Sequence, residues 1–477
     1  MELLDRAVVP ARLSLIYRSG HTMGYNPKLN TWERLPADTA ELIRWLRAGR
    51  GRDALAAHLM RRFGYEAGHA RARIQEIIQW CILRRLLYLD GEPAIPALTL
   101  PENPLSAVYW ICTQACNLRC SYCYQDADVA RKHELSTAEA KQLVDQAVEV
   151  GASTFVFTGG EPFVRRDLLE IARYSRDRGL RTNVITNGHY ITKKTIGEVA
   201  SIFHQITVSL DHMIPEHHDE VRGKGSWKHA VNASELILAA GVSLDVNSTL
   251  SRLGLKDVGE LLRLGERFRI GRQRIVPQFP MGRGGNNRRT ELTPDEVLNL
   301  GDTLNAAKQA LAEDGHVPAS LEGNYSTKRM RRNHCGAGLS EISVDPEGWV
   351  YPCRLLQYPN LKGDNIRTRS LREIYADSVP LREARARRAE TLQPCRTCII
   401  REHCGGGCRG IHTSFTQDPG RAHPLFCAFL RGTFEAEAWA STGELPPPRT
   451  IQFHEPIPHP EQLIPVSAIV RKTTQTP

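Results

Sequence analysis

From residue 107 onward, short apolar runs rich in β-branched residues alternate with stretches of helical spacing. The runs that read as strands are residues 107–113, 154–158, 182–186, 205–210, 243–250 and 274–276. Alternation of this kind predicts parallel βα units with right-handed crossovers. Six such units form a partial (β/α)6 barrel in an α/β fold, and its functional groups are expected at the carboxyl ends of the strands.

Three cysteines follow the first predicted strand. Cys116, Cys120 and Cys123 have the spacing CxxxCxxC, which supplies three thiolates rather than four. A [4Fe–4S] cluster held by three cysteines keeps one iron open, whereas structural zinc sites close with four ligands. The triplet therefore predicts a reactive cluster. A surface loop with incidental cysteines, or a zinc knuckle, is the alternative.

This run resembles the signature of the radical S-adenosylmethionine (SAM) enzymes, in which the aromatic residue before the last cysteine lies beside SAM. The Gly-Gly-Glu-Pro segment that ends the second strand matches the family's site for the amino group of SAM. In relatives, the ends of the third and fourth strands lie over the SAM carboxylate and ribose. Ordinary turn chemistry is the alternative for those strand ends. The resemblance implies that the SAM-binding residues are Tyr122, Gly159, Gly160, Glu161, Asn187, Ser209, Asp211 and Arg222.

The same resemblance implies a mechanism. A reduced cluster passes one electron to SAM and releases a 5′-deoxyadenosyl radical, which abstracts a hydrogen atom from the substrate. The cofactor carries this chemistry, and the protein supplies position and a dry cavity. No catalytic side chain can be named from the sequence. A one-electron reductant such as flavodoxin or ferredoxin is an expected partner.

Seven further cysteines lie between residues 335 and 427, around a predicted hairpin at residues 340–350. Their spacing resembles the SPASM domain, the auxiliary-cluster module of radical SAM enzymes that modify peptides. The resemblance implies two auxiliary [4Fe–4S] clusters. Cluster I would be held by Cys335, Cys353 and Cys408, with no evident fourth ligand. Cluster II would be held by Cys395, Cys398, Cys404 and Cys427.

The first 90 residues read as two strands followed by three helices, a small α+β domain of winged-helix-like character. The order resembles the PqqD-like recognition element, which binds the leader of a ribosomally made precursor peptide by β-augmentation. A purely structural domain is the alternative. The predicted organisation is residues 1–90 for this domain, 91–106 for a linker, 107–320 for the barrel, 321–442 for the SPASM domain and 443–477 for a proline-rich disordered tail.

Composition limits the remaining classes of protein. The 477 residues contain no apolar run long enough to cross a membrane, and the N-terminus lacks the features of a signal peptide. With metal-type spacings, twelve cysteines indicate a reducing cytoplasm rather than disulfides. Nucleic acid is disfavoured as a partner because no basic run is interleaved with aromatic residues.

The function predicted is a radical SAM peptide maturase that forms a thioether or carbon–carbon cross-link in a precursor peptide. One alternative is a radical SAM enzyme acting on a small molecule or tetrapyrrole. Another is a sulfatase-maturase-like enzyme, although such enzymes carry an acidic residue where this chain has Arg354. A zinc-stabilised nucleic-acid-binding protein is the alternative that is not an enzyme.

Overall fold

The main sheet of the N-terminal domain has one strand more than the sequence predicts, and two further short strands pair with each other outside it. The structure, a computed structural model, describes residues 2–18, 20–94, 105–268, 270, 272–286, 289–316 and 332–441. The first strands are β1 (Ala7–Val8), β2 (Ser14–Arg18), β3 (His21–Asn26), β4 (Thr31–Leu35) and β5 (Tyr88–Leu89). The helices are α1 (Glu2–Arg6), α2 (Ala37–Arg47), α3 (Ala54–Phe63) and α4 (Ala67–Leu83). Strands β2, β3 and β4 form an antiparallel sheet, and β4 was not predicted.

This small sheet is buried on both faces. One face packs on the helices of its own domain, through residues such as Leu13 and Leu35. The other face presents Ile16, Met23 and Tyr25 to a second apolar cluster that belongs to the C-terminal part of the chain. A sheet with two buried faces fastens the N-terminal domain to the rest of the molecule.

The predicted barrel strands are all present, with ends within two residues of those expected. They are β6 (Ala107–Ile111), β7 (Thr154–Thr158), β8 (Arg181–Thr186), β9 (Gln205–Ser209), β10 (Ser243–Leu250) and β11 (Arg272–Pro277). All six are parallel in chain order, from β6 to β11. The intervening helices are α5 (Thr137–Glu149), α6 (Leu168–Asp177), α7 (Ile196–Ile202), α8 (Pro215–Arg222), α9 (Ser226–Ala239), α10 (Arg252–Leu255), α11 (Val258–Leu262) and α12 (Leu264–Phe268). The fold is therefore the predicted partial barrel.

The predicted C-terminal hairpin extends the barrel sheet. Strands β12 (Glu341–Val344) and β13 (Val350–Tyr351) pair with each other, and β12 also pairs in parallel with β6. The sheet therefore has eight strands in the order β11-β10-β9-β8-β7-β6-β12-β13. The sequence predicted the hairpin but not its attachment to the barrel.

The remaining helices close one side of the barrel and carry the cysteine-rich segment. They are α13 (Pro294–Glu313), α14 (Leu371–Asp377), α15 (Val379–Ala386), α16 (Arg401–Cys404), α17 (Arg409–Thr416) and α18 (Pro424–Ala440). Helices α13 and α18 pack closely, with Thr433 and Ala436 lying against Gly301. No helix in the described parts of the chain is long and apolar enough to cross a membrane. The central part of the predicted linker, the boundary near residue 320 and the tail 443–477 lie outside the described residues.

Candidate functional site

A cavity of about 270 Å³, which we call the main cavity, lies at the carboxyl ends of the barrel strands. The three cysteines Cys116, Cys120 and Cys123 are on its wall. Of the eight residues that the resemblance assigned to SAM, six also line it. These six are Tyr122, Gly159, Gly160, Asn187, Ser209 and Arg222.

The loop that carries the three cysteines is held from the opposite side of the barrel. The guanidinium of Arg283 donates to the carbonyl of Cys120 at 3.0 Å, and its backbone N–H donates to the carbonyl of Cys123 at 3.0 Å. Arg283 also pairs with Asp126 at 2.8 Å. The segment after β11 therefore fixes the shape of the cysteine loop after β6.

The paired glycines allow two backbones to approach each other. Gly159 has φ of +154°, and a Cβ there would lie 2.6 Å from the carbonyl oxygen of Thr113. The N–H of Gly160 donates to that same carbonyl at 2.9 Å, and the N–H of Glu161 donates to Ala115 at 2.9 Å. The close approach is therefore to the start of the cysteine loop, which leaves no room for a side chain.

Glu161 lies behind the main cavity and does not line it, contrary to its expected place beside an ammonium group. Its fully buried carboxylate accepts hydrogen bonds from Thr186 Oγ1 and from the N–H of Asn187, each at 2.8 Å. Burial raises the pKa of Glu161 to about 7. The carboxylate thus joins the ends of β7 and β8, and only the backbone of this segment borders the cavity.

Asp211 likewise lies behind the cavity wall and binds two residues that face the cavity. Arg222 Nε donates to Asp211 Oδ2 at 2.6 Å, and Arg222 Nη2 donates to Oδ1 at 3.0 Å. The hydroxyl of Tyr122 donates to the same carboxylate, and the Arg222 guanidinium lies over the Tyr122 ring. Arg222 is therefore already paired with Asp211, which orients Arg222 and Tyr122 toward the cavity.

The C-terminal cysteines form two neighbouring groups. Cys335, Cys353 and Cys408 share the wall of a second cavity of about 140 Å³, which we call the side cavity, and Cys404 of the other group also reaches this wall. Burial raises the pKa of Cys404, and the neighbouring thiols Cys427, Cys398 and Cys395 raise it further. These are the two sets that the resemblance implies for clusters I and II. Cys408 lines both cavities, so the first group borders the main cavity as well.

The surroundings of Arg409 indicate whether these thiols could hold iron–sulfur clusters. Its side chain is buried, and Nε, Nη1 and Nη2 have no hydrogen-bond partner among the described residues. Its charge opposes the effect of burial on the pKa of Cys335, in the first group, and of Cys427, in the second. Cysteine-ligated clusters accept hydrogen bonds at sulfur, so a buried, unpartnered guanidinium between the two groups fits such clusters.

The spacing of the sulfurs argues against single zinc ions. Thiolates around one zinc lie about 3.8 Å apart, since each Zn–S bond is about 2.3 Å long. Within the described ranges, no three cysteine sulfurs lie within 4.8 Å of one another. Among the described residues, the group of possible ligands that meets this limit is His212, His217 and Asp257.

Sequence reasoning missed two arginines that face the main cavity. Arg274 is on β11, and Arg354 follows Cys353. Both line the main cavity and the side cavity. The sequence pattern offered no signal for them, except that Arg354 occupies a position that is acidic in sulfatase maturases.

Comparison with known proteins agrees with this geometry. Residues 110–264 match the radical SAM superfamily, and residues 335–399 match SPASM, an iron–sulfur cluster-binding domain. PqqA peptide cyclase of Gluconobacter oxydans (strain 621H) is 28% identical over 333 residues, which are 69% of this chain and 92% of that protein. AdoMet-dependent heme synthase of Oleidesulfovibrio alaskensis (strain ATCC BAA-1058 / DSM 17464 / G20) is 30% identical over 343 residues, 67% of this chain and 84% of that protein.

A solved structure shares the fold over a longer stretch. The crystal structure of Streptococcus suis SuiB bound to precursor peptide SuiA matches with a TM-score of 0.56 and 14% identity. The match covers 88% of this chain and 99% of SuiB. Together with the cysteine loop and the SPASM match, these relatives show that the chain belongs to the radical SAM superfamily, as an enzyme whose cofactors are SAM, a [4Fe–4S] cluster and auxiliary iron–sulfur clusters.

Proposed function

We propose that this enzyme modifies a ribosomally made precursor peptide, which it binds through the leader of that peptide. The observation that carries the proposal is the docking of the N-terminal domain against the SPASM domain. Phe434 of α18 lies between Tyr25 and Trp32, with ring centroids 4.9 and 5.5 Å away. Arg12 pairs with Glu402 at 2.8 Å. A domain held this firmly beside the cluster domain suits the delivery of a long substrate.

The N-terminal domain offers a basic groove for a leader. Arg18, His21, Arg34 and Arg44 line a groove of about 680 Å³ between β3, β4 and α2, and no Asp or Glu among the described residues lines it. Two of these cations have carboxylate partners beside the groove, Asp302 for Arg18 and Glu41 for Arg44. Each of β2 and β4 is paired on one side only among the described strands, which leaves edges for β-augmentation. Arg73, on α4, pairs with Asp38 at 2.7 Å, so its charge is compensated within the domain.

The fold match to SuiB supports the same substrate class. Residues 1–104 are more than a fifth of the chain, so a match over 88% of it must include part of the N-terminal domain. SuiB has been solved with its precursor peptide SuiA, and we infer that a peptide is the substrate here as well.

In this proposal, each group of cysteines holds one cluster. Bound SAM and its reduced cluster would supply a radical that abstracts hydrogen. The chain's own residues orient SAM through Tyr122 and Arg222, and the backbone at Gly159 and Gly160 borders its site.

The ligands proposed for the SAM cluster are Cys116, Cys120 and Cys123. Those proposed for auxiliary cluster I are Cys335, Cys353 and Cys408, and those for auxiliary cluster II are Cys395, Cys398, Cys404 and Cys427. We propose a thioether or carbon–carbon cross-link as the product and a flavodoxin or ferredoxin as the reductant.

Anaerobic co-expression with each short open reading frame beside the gene tests the proposal. A peptide that loses two hydrogens, localised by fragmentation to one residue pair, is the expected result. Deletion of the N-terminal domain would expose Phe434 and could disturb the fold. Binding of the leader is therefore tested with the point variant Arg44→Glu in the groove. Arg62→Glu, on an exposed helix position of the same domain, is the matched control. Arg44→Glu should weaken peptide binding and modification, and Arg62→Glu should not. Wild-type enzyme that modifies none of the peptides would contradict the proposal.

A tetrapyrrole is the second candidate substrate. It is favoured by the AdoMet-dependent heme synthase relative, which is 30% identical to this chain. That match covers 67% of the chain, so it leaves a third of the residues without a counterpart. Accumulation of an altered tetrapyrrole in the same cells, with all peptides unmodified, would favour this candidate.

A further inference from the structure

The main cavity has a strongly positive wall. Arg222, Arg274, Arg283 and Arg354 all line it, and no Asp or Glu side chain does among the described residues. Two of these arginines have carboxylate partners, Asp211 for Arg222 and Asp126 for Arg283. The other two, Arg274 and Arg354, have no carboxylate partner in the part of the chain that the structure describes.

Arg274 is one of the unpaired arginines. It forms no ion pair with any described residue, and its Nε is a buried donor without a hydrogen-bond partner. The strand register explains its position, because β11 alternates between buried core residues such as Ile275 and residues that face the barrel interior. A buried donor without a partner is costly, so such a group is expected to meet an acceptor in the working enzyme.

Arg354 is the second arginine on this wall without an ion-pair partner among the described residues. Its guanidinium lies over the Tyr109 ring, 4.6 Å from the centroid, and no hydrogen bond or ion pair to a described residue satisfies its donors. Glu341 lines the side cavity and forms no ion pair within 4 Å with either arginine, although its charge favours the protonated form of both. Burial lowers the pKa of Arg274, and the charge of Arg354 lowers it further, so the two guanidinium groups repel each other.

Arg274 and Arg354 also line the side cavity, so part of their charge would offset a cluster held by Cys335, Cys353 and Cys408. Arg409 is a further cation there, and its guanidinium has no hydrogen-bond partner among the described residues, whereas Arg274 and Arg354 also face the main cavity. Arg222 and Arg283 are the cations beside the cysteine loop. Two guanidinium groups on one cavity wall, neither with an ion-pair partner among the described residues, suit a ligand that carries a carboxylate.

We propose that Arg274 and Arg354 bind a carboxylate of the substrate in the main cavity, namely the side chain of an Asp or Glu in the segment that is modified. The inference rests on the proposed function, because it assigns the carboxylate to a peptide. It names an acidic residue next to the reacting carbon, and so predicts which part of the precursor enters the cavity.

The test uses reconstituted holoenzyme saturated with SAM, so that SAM's own carboxylate is already accommodated. Calorimetry measures the binding of three probes. N-acetylglutamate α-amide carries a side-chain carboxylate, N-acetylglutamine amide is its neutral counterpart, and N-acetylalanine carries a terminal carboxylate only. We expect the glutamate probe to bind about 10- to 100-fold more tightly than the glutamine probe, as for a hydrogen-bonded charge. Tighter binding of N-acetylalanine than of the glutamate probe would overturn the assignment to a side chain and indicate the peptide's C-terminus.

Variants then assign the preference to the two arginines. Arg274→Gln and Arg354→Gln should each remove most of the preference for the glutamate probe. Arg354→Lys keeps the charge but loses the planar pair of donors, so it should keep part of that preference. Arg173→Gln, at a half-exposed surface pair with Glu198, is the matched control and should keep all of it. Iron content and the electron paramagnetic resonance spectra of the clusters are measured in parallel. Variants that keep the preference for glutamate, or a wild type without one, would overturn the inference.

Failure of this inference is distinguishable from failure of the proposed function. If a co-expressed peptide is modified while the arginine variants keep the preference, the inference fails alone. If no peptide is modified and the preference depends on both arginines, the carboxylate belongs to a substrate that is not a peptide. In that case the inference about a peptide side chain fails together with the proposed function.

Discussion

Arg222 and Asp211 form a buried, doubly hydrogen-bonded ion pair directly behind the wall of the main cavity, with Nε–Oδ2 and Nη2–Oδ1 distances of 2.6 and 3.0 Å. The backbone N–H of Thr249, on the neighbouring β10, donates to the same carboxylate at 2.9 Å. Asp211 therefore connects the ends of two strands to a residue that faces the cavity. Its effect on a bound ligand would be exerted through Arg222 and Tyr122.

Asp211→Asn should weaken SAM binding because it leaves the Arg222 charge buried without a charged partner. We expect a loss of affinity of about 10-fold or more, with a lower melting temperature. Equilibrium binding of SAM to the reconstituted enzyme measures the affinity, and calorimetry measures the melting temperature. Glu260→Gln breaks a surface pair with Arg263 and should change neither. An unchanged affinity for SAM would show that the pair does not shape the SAM site.

Removal of each cysteine group should remove one cluster. Substitution of Cys116, Cys120 and Cys123 by alanine should lower iron and sulfide by about four atoms each per chain. The remaining clusters should keep their spectra, because the groups do not share ligands. Cys81→Ala, at a buried thiol of the N-terminal domain, is the control and should keep all iron. Retention of all iron by the triple variant would contradict the proposed ligands.

Phe434→Ala should weaken the packing of the N-terminal domain against α18. The ring is almost completely buried between Tyr25 and Trp32, and its loss should cost about 3–5 kcal/mol of packing free energy. Hydrogen exchange measured by mass spectrometry should accelerate over β2, β3 and β4. The matched change is Leu83→Ala, at a side chain that is 81% exposed, where exchange should stay as in the wild type. Unchanged exchange in Phe434→Ala would mean that the domain is held by other contacts.

Asp38→Asn should destabilise the N-terminal domain by about 2 kcal/mol at pH 7, because Asp38 binds Arg73 and Tyr65. Burial alone would raise the pKa of Asp38, but these hydrogen bonds outweigh it and hold the pKa below its ordinary value. A carboxyl group with a lowered pKa contributes its stability fully above the unfolded value and loses it as the pH falls through the folded value. The difference between variant and wild type, measured by urea unfolding, should therefore stay constant from pH 8 to pH 5. A difference that shrinks within this range would contradict the assignment.

The barrel could be predicted because its strands are short, apolar and regularly spaced, and both cysteine patterns are explicit in the sequence. Strand β4 was missed because its sequence, Thr-Trp-Glu-Arg-Leu, mixes charged residues with the apolar ones. Its Trp32 is buried only because α18 lies against that face. Local spacing contains no information about such a distant partner.

The parts of the site that escaped prediction depend on register between strands. Glu161 was placed in the cavity from its motif, but the neighbouring β8 supplies Thr186 and the N–H of Asn187 and draws its carboxylate behind the wall. Arg274 and Arg354 are far apart in sequence and belong to opposite ends of the sheet order, since Arg274 is on β11 and Arg354 follows β13, yet both line the same cavity. Such neighbours become visible only in three dimensions.

The pairing of β12 with β6 has a consequence for electron transfer. Four residue pairs, from Glu341 with Ala107 to Val344 with Trp110, make the cluster-bearing C-terminal segment part of the barrel sheet. Opening a hinge between them would break main-chain hydrogen bonds in the middle of a continuous sheet. The backbone therefore fixes the spacing between the cysteine loop after β6 and the segment that begins at β12, and clusters bound at both would keep the distance for electron transfer between them when a substrate binds.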